Sequence, residues 1–281
     1  MKRFTASDGA RIAYADEGEG RPVLLLHGLM AHAGFFDRQK PLRGNFRLIA
    51  VDLRGHGRSP SEADPPSLDV LARDVAELAA ALGLEDAIGV GWSLGAAVLW
   101  RVLAGPASRR FAGAVVVDMT PRVANAEDWD LGLPPETCDA RTRAIASDFP
   151  TFAASAGAAI FSRSGEAPRH PLADWAAGEF ARNDPAAIGA TWASLVEEDF
   201  RPELATIRQP TLVVHGAHSH LYGPDTADHL VAALPNARAV RFEGSGHAPH
   251  LEQPDLFNRT IEEFAASLPP VLHRTTQKQT A

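Results

Sequence analysis

Residues 87–95 read Ala87-Ile88-Gly89-Val90-Gly91-Trp92-Ser93-Leu94-Gly95, an apolar run that breaks into Gly-x-Ser-x-Gly and continues as the helix-forming stretch Ala96 to Leu103. The spacing has a physical reason. A sharp strand-to-helix turn holds its central serine in a strained backbone conformation, so that the hydroxyl projects above the end of the strand. Side chains at the two flanking positions would collide with neighbouring backbone, and both positions are glycine. The N-terminus of the helix that follows favours developing negative charge. Five residues of this pattern recur by chance, and a structural turn serine is the alternative. The strand before and the helix after it favour Ser93 as a nucleophile.

Outward from this turn, short apolar runs alternate with helix-period segments. Pro22-Val23-Leu24-Leu25-Leu26 stops at His27-Gly28, residues 47–51 stop at Asp52, Gly113-Ala114-Val115-Val116-Val117 at Asp118, and Thr211-Leu212-Val213-Val214 at His215-Gly216. Runs this continuous are expected to be buried on both faces, as in a parallel sheet. Between them, Leu71, Val75, Leu78 and Leu82 share one helix face, as do Phe257, Ile261, Phe264 and Leu268 after Pro254. Alternation of this kind predicts an α/β fold with right-handed crossovers.

The alternation fails between residues 121 and 201. Phe149, Phe152, Ala153, Ala156 and Ile160 fit a helix, and Trp175, Trp192 and Leu195 fall in further helical stretches. We expect residues 1–120 and 202–281 to form the core and residues 121–201 to form a helical lid. Ordinary surface helices of the same domain are the alternative. The polar end, Arg274 to Ala281, is expected to fray.

A serine nucleophile needs a base and an anion trap. Of the 11 histidines, His247 stands in Gly244-Ser245-Gly246-His247-Ala248-Pro249-His250, after the last predicted strand (Ala239 to Phe242) and before the final helix. A loop there reaches the C-terminal edge of the sheet, and an imidazole titrates near neutrality. His250 is the competitor. His215 and His218 come too early for the chain order Ser, acid, His. For the anion, main-chain N–H groups of Leu94, next to the serine, and Leu29, in His27-Gly28-Leu29-Met30, are the candidate donors. Trp92, Met30 and Trp129 are the candidate substrate contacts.

Composition narrows the classes. With 281 residues and 45% apolar content, the chain can bury a large core. A formal charge of -8 disfavours nucleic acid and anionic membrane as partners. The single cysteine, Cys138, allows no intrachain disulfide and has no metal-ligand spacing around it. The start of the chain carries no apolar signal stretch, and no run has the length of a membrane span. These features fit a cytoplasmic protein acting on a small molecule, with no metal and no organic cofactor.

Together, His27-Gly28, the segment Asp52-Leu53-Arg54-Gly55-His56-Gly57-Arg58-Ser59, the Ser93 turn and Gly244 to Pro254 resemble the α/β-hydrolase superfamily, in particular its small esterase, lactonase and perhydrolase-like members. The resemblance implies that Asp52, Arg54 and His56 are structural. It also exposes a departure. The family's usual acid follows strand 7, in a pattern like H-G-x-x-D, whereas His215-Gly216-Ala217-His218-Ser219 has a serine there and the next carboxylate is Asp225. A branch of the superfamily takes its acid from the end of strand 6, which here is Asp118. Asp118 is the first candidate and Asp225 the second. The reaction so implied is hydrolysis of a carboxylic ester. Lactone, thioester or carbon–carbon bond cleavage and peracid formation are alternatives on the same triad, and a non-catalytic binding protein on the same scaffold is the alternative outside enzymes.

Overall fold

A computed structural model describes residues 1–61, 65–162 and 170–269. Its centre is an eight-stranded sheet of order β1-β2-β4-β3-β5-β6-β7-β8. The strands are β1 (Lys2–Thr5), β2 (Arg11–Glu17), β3 (Arg21–Leu26), β4 (Phe46–Val51), β5 (Ala87–Trp92), β6 (Phe111–Val117), β7 (Thr211–Gly216) and β8 (Ala237–Phe242). From β4 to β8 every neighbouring pair is parallel. β1 and β2 are antiparallel to each other, and β2 is antiparallel to β4. The apolar runs read from the sequence are the central strands, and every residue of β5 is buried.

Helices cover the sheet. They are α1 (Leu68–Ala81), α2 (Leu94–Ala104), α3 (Pro135–Ser147), α4 (Phe149–Ala159), α5 (Ala173–Phe180), α6 (Pro185–Glu197), α7 (Arg201–Leu204), α8 (Pro224–Ala233), α9 (Pro249–Glu252) and α10 (Pro254–Ser267). Their starts follow capping chemistry. Ser67 accepts from the Val70 N–H at the head of α1, and Asp148 and Asp184 do the same for α4 and α6. Leu71, Val75 and Leu78 of α1 and Phe257, Ile261 and Phe264 of α10 are buried, as their spacing demands. This is the α/β-hydrolase fold. Helices α3 to α6 occupy the interval where no strand was expected, between β6 and β7. Among the described residues no helix is long and apolar enough to cross a membrane. The tail expected to fray, Arg274 to Ala281, lies outside the described residues.

The Asp52–Ser59 segment is a brace. The Asp52 carboxylate accepts from the Ala33 and Arg58 N–H groups at 2.8 and 2.9 Å. Ser59 Oγ donates to the Asp52 carbonyl at 2.6 Å and accepts from the Ala13 N–H at 2.8 Å. Buried Arg54 forms ion pairs with Asp74 at 2.6 Å and Asp8 at 2.8 Å. These contacts tie the loop after β4 to β2 and α1, and none of the three side chains reaches the cavity described next.

Candidate active site

Above the C-terminal end of β5 lies a cavity of about 450 Å³. Ser93 sits at its floor, at the tip of the β5–α2 turn, with φ 53° and ψ -120°. A non-glycine residue in this left-handed region is strained. The turn is forced by its neighbours. A Cβ on Gly91 would come within 2.4 Å of the Gly95 carbonyl oxygen, and one on Gly95 within 2.1 Å of the Leu26 oxygen. The Ser93 N–H donates to the Val117 carbonyl at 3.0 Å, which pins the turn to the end of β6.

Asp118 follows β6 and is likewise left-handed, at φ 46°. Its N–H donates to the Val214 carbonyl at 2.8 Å. Its Oδ2 receives two hydrogen bonds, from His247 Nδ1 at 2.6 Å and from Ser219 Oγ at 2.7 Å. Both side chains of the Asp118–His247 pair are nearly fully buried, so water competes weakly for the bond. Ser219, at the position where the resemblance would put a carboxylate, therefore hydrogen-bonds to Asp118 instead. Asp225 is exposed in the first turn of α8 and forms no hydrogen bond or ion pair with His247, whose carboxylate partner is Asp118.

The histidine loop is held from both sides. Trp92 Nε1 donates to the His247 carbonyl at 2.7 Å. The Glu252 carboxylate accepts from the Gly246 N–H and, with its other oxygen, from the Ser162 N–H, both at 2.7 Å. Gly216 has to be glycine, since a Cβ there would lie 1.9 Å from the Gly246 oxygen. His247 lines the cavity with Ser93.

The loop after β3 closes over the serine. A Cβ on Gly28 would sit 3.3 Å from Ser93 Cβ and 3.2 Å from the Trp92 ring. Buried His27 shapes this loop, with Nδ1 donating to the Gly28 carbonyl at 2.8 Å and Nε2 accepting from the Leu53 N–H at 2.9 Å. Burial holds its pKa well below the ordinary histidine value, as does the neighbouring His56 to a smaller extent, so it serves as a neutral bridge. Leu29 and Met30 line the cavity. Leu94 opens α2, where an N–H has no acceptor within the helix. Met30 is left-handed at φ 65°, and its carbonyl accepts from Asn183 Nδ2 at 2.6 Å. Asn183, just beyond α5, was not legible in the sequence.

The remaining walls are apolar and come largely from the insertion, among them Phe152, Ile160, Phe180, Trp192 and Leu195. Trp129, expected to touch substrate, is not among them. It is buried in the turn before α3, where its Nε1 donates to the Arg122 carbonyl at 2.9 Å and its ring lies 4.8 Å from that of His229 and 5.2 Å from the Arg201 guanidinium. An indole N–H needs a partner when buried, and the local carbonyl supplied one away from the cavity. Trp175 packs on Phe35 at 4.5 Å and stays 37% exposed. Of the insertion tryptophans, Trp192 reaches the cavity.

His250, the competitor, faces the core. Its ring lies 4.7 Å from Trp92, 5.0 Å from Phe36 and 5.9 Å from Phe257. Burial, with a smaller contribution from His247, depresses its pKa to about 3, and burial depresses that of His56 to about 4. A histidine whose folded pKa lies below its unfolded value contributes stability at high pH, and loses it as pH falls below the unfolded value of 6.5. At pH 5 each such residue contributes about 2 kcal/mol less than at neutrality. We expect the melting temperature to fall steadily between pH 7 and pH 5, and His250→Phe to flatten that fall. Calorimetry across this range checks it, and an unchanged slope in the variant would remove His250 from the account.

The sequence pattern of the alpha/beta hydrolase family matches residues 23–260. The chain belongs to that family. It is similar to a non-heme haloperoxidase of Rhodococcus erythropolis, 31% identical over 95% of this chain and 100% of that protein. It is also similar to the pimeloyl-[acyl-carrier protein] methyl ester esterase of Nitrosomonas europaea, 32% identical over 88% of this chain and 97% of the other. Among solved structures, an esterase from Exiguobacterium antarcticum superposes with a TM-score of 0.88 at 25% identity, over 95% of this chain and 99% of that one.

Proposed function

We propose that this protein hydrolyses carboxylic esters through a covalent acyl-enzyme, with Ser93 as nucleophile, His247 as general base and Asp118 as the acid that orients it. The observation that carries the reading is the buried Asp118–His247 hydrogen bond of 2.6 Å in a histidine that shares the cavity with the strained Ser93. The likeness to enzymes named as esterases supports the same reaction class.

The chemistry follows from the groups. His247 Nδ1 donates to Asp118, so in the neutral ring Nε2 carries the lone pair that takes the Ser93 proton. Ser93 Oγ attacks the carbonyl carbon, and the Leu29 and Leu94 N–H groups stabilise the oxygen that becomes negative. The imidazolium returns its proton to the departing alcohol. Water then attacks the acyl-serine by the same route, releasing the acid and restoring Ser93. Helices α3 to α6 serve as the lid, giving the acyl chain an apolar chamber while the core supplies the reacting groups.

A fluorophosphonate probe tests the assignment without knowledge of the substrate. We expect one stoichiometric adduct, mapped by peptide mass spectrometry to the peptide containing Ser93. Failure to label the folded protein would reject the nucleophile and leave a binding protein on a hydrolase scaffold.

A further inference from the structure

Helix α3 contributes Glu136, Thr137, Ala140, Arg141 and Ala144 to the lining of the cavity. Arg141 is the permanent cation among the described residues of its lining. Its guanidinium lies over the Trp192 ring, 5.6 Å from the centroid, and it takes part in no ion pair among the described residues. Trp192 is itself fixed, since its Nε1 donates to Thr142 Oγ1 at 3.0 Å. A half-buried cation without a carboxylate partner stands in contrast to Arg54, Arg101, Arg122 and Arg201, each of which is paired with acidic side chains.

The indole face holds the guanidinium as a cation over its ring. Its N–H groups point outward from the edge of the planar group, and with no hydrogen-bond or ion-pair partner among the described residues they form a donor fork available to a planar anion. A carboxylate fits that fork bidentately. An apolar acyl chain would leave it unused, and a cation facing a hydrophobic chamber costs desolvation that a purely apolar ligand does nothing to offset. Tyr222 lines the same cavity and feels the Arg141 charge, and burial keeps its hydroxyl protonated and able to donate. Glu136, about a turn and a half earlier on α3, also lines the cavity but is exposed, so solvent screens its opposing charge.

We propose that Arg141 forms an anion-binding subsite of the cavity, and that the esters cleaved here carry a second, ionised carboxylate, as the half-esters of dicarboxylic acids do. This rests on the reading of Ser93 and His247 as the reacting groups, since it assigns the far end of the substrate whose ester bond they cleave. The reaction preceding it would then be one that caps one end of a dicarboxylic acid as an ester. The step following would consume the free diacid.

Monomethyl adipate and methyl hexanoate present the same ester on acyl chains of the same length, one charged and one neutral. We expect the wild-type protein to favour the half-ester in kcat/KM. In Arg141→Met, kcat/KM on the half-ester should fall at least roughly tenfold further than on the neutral ester, with Arg141→Lys in between because it keeps the charge and loses the fork. Binding is read separately by calorimetric titration of adipate into the Ser93→Ala protein and into the Ser93→Ala, Arg141→Met double variant. Adipate should bind the first and not the second. Equal losses on both esters in Arg141→Met, or equal adipate binding by the two Ser93→Ala proteins, overturns the subsite. If no ester is cleaved yet adipate binding still depends on Arg141, the subsite stands and the hydrolytic reading falls.

Discussion

Ser93→Ala is expected to fold normally and to lose ester turnover by several orders of magnitude. Removing one member of such a constellation typically costs 10⁴-fold or more, because the remaining members cannot act without it. The fold should tolerate the change well. Ser93 is the N-cap of α2 but makes no side-chain cap bond there, so alanine leaves no buried polar group unpaired. It keeps the left-handed strain, since alanine has a Cβ like serine. The measurement is steady-state turnover of a nitrophenyl ester beside a thermal melt. A variant that melts like the wild type and still cleaves the ester at a comparable rate would end the serine mechanism.

Asp118→Asn is expected to cost about 10³ to 10⁴ in kcat, the scale of the comparable change in serine proteases. The argument lies in the two hydrogen bonds at Oδ2. Both donors converge on that one atom, so an amide presents either its oxygen to both or its NH₂ to both. If its nitrogen faces the ring, His247 Nδ1 must become the acceptor, and the proton moves to Nε2, where the base is needed. If its oxygen faces the ring, the tautomer survives but the imidazolium loses its counter-charge. Either way the step is damaged. Asp225→Asn, on the exposed turn of α8, should change turnover little. The two variants together decide between the acids: a crippled Asp225→Asn beside a mild Asp118→Asn would refute the strand-6 assignment.

Parts of this arrangement were legible from residues alone because they are local. Gly91-Trp92-Ser93-Leu94-Gly95 carries its turn as a short recognisable pattern, although Gly95 answers to the approach of Leu26 from β3, and the runs around Val23 and Val115 encode burial on both faces. The antiparallel pair β1 and β2 was missed. These strands sit at one side of the sheet, β1 is largely exposed, and the apolar run of β2, Ile12 to Ala15, is short and holds a single β-branched residue. The destination of Trp129 was misread for a different reason. Helical and turn sequences reveal an aromatic residue, but which neighbours will satisfy its N–H is decided by tertiary packing. Ser219 is an intermediate case. Its identity marks the absence of the usual acid, while its hydrogen bond to Asp118 depends on β6 and β7 lying side by side.

The bond from Asn183 to the Met30 carbonyl has a bearing on how such proteins diversify. The helices between β6 and β7 look like a detachable cassette, free to vary with substrate while the catalytic scaffold stays constant. Here the cassette holds one end of the left-handed peptide next to Leu29, the residue proposed to supply an N–H to the reacting oxygen. Exchange of the cassette between relatives would therefore alter the rate of bond cleavage along with the choice of acyl group. An amide donor reaching back to residue 30 is the feature a transplanted segment would have to bring with it.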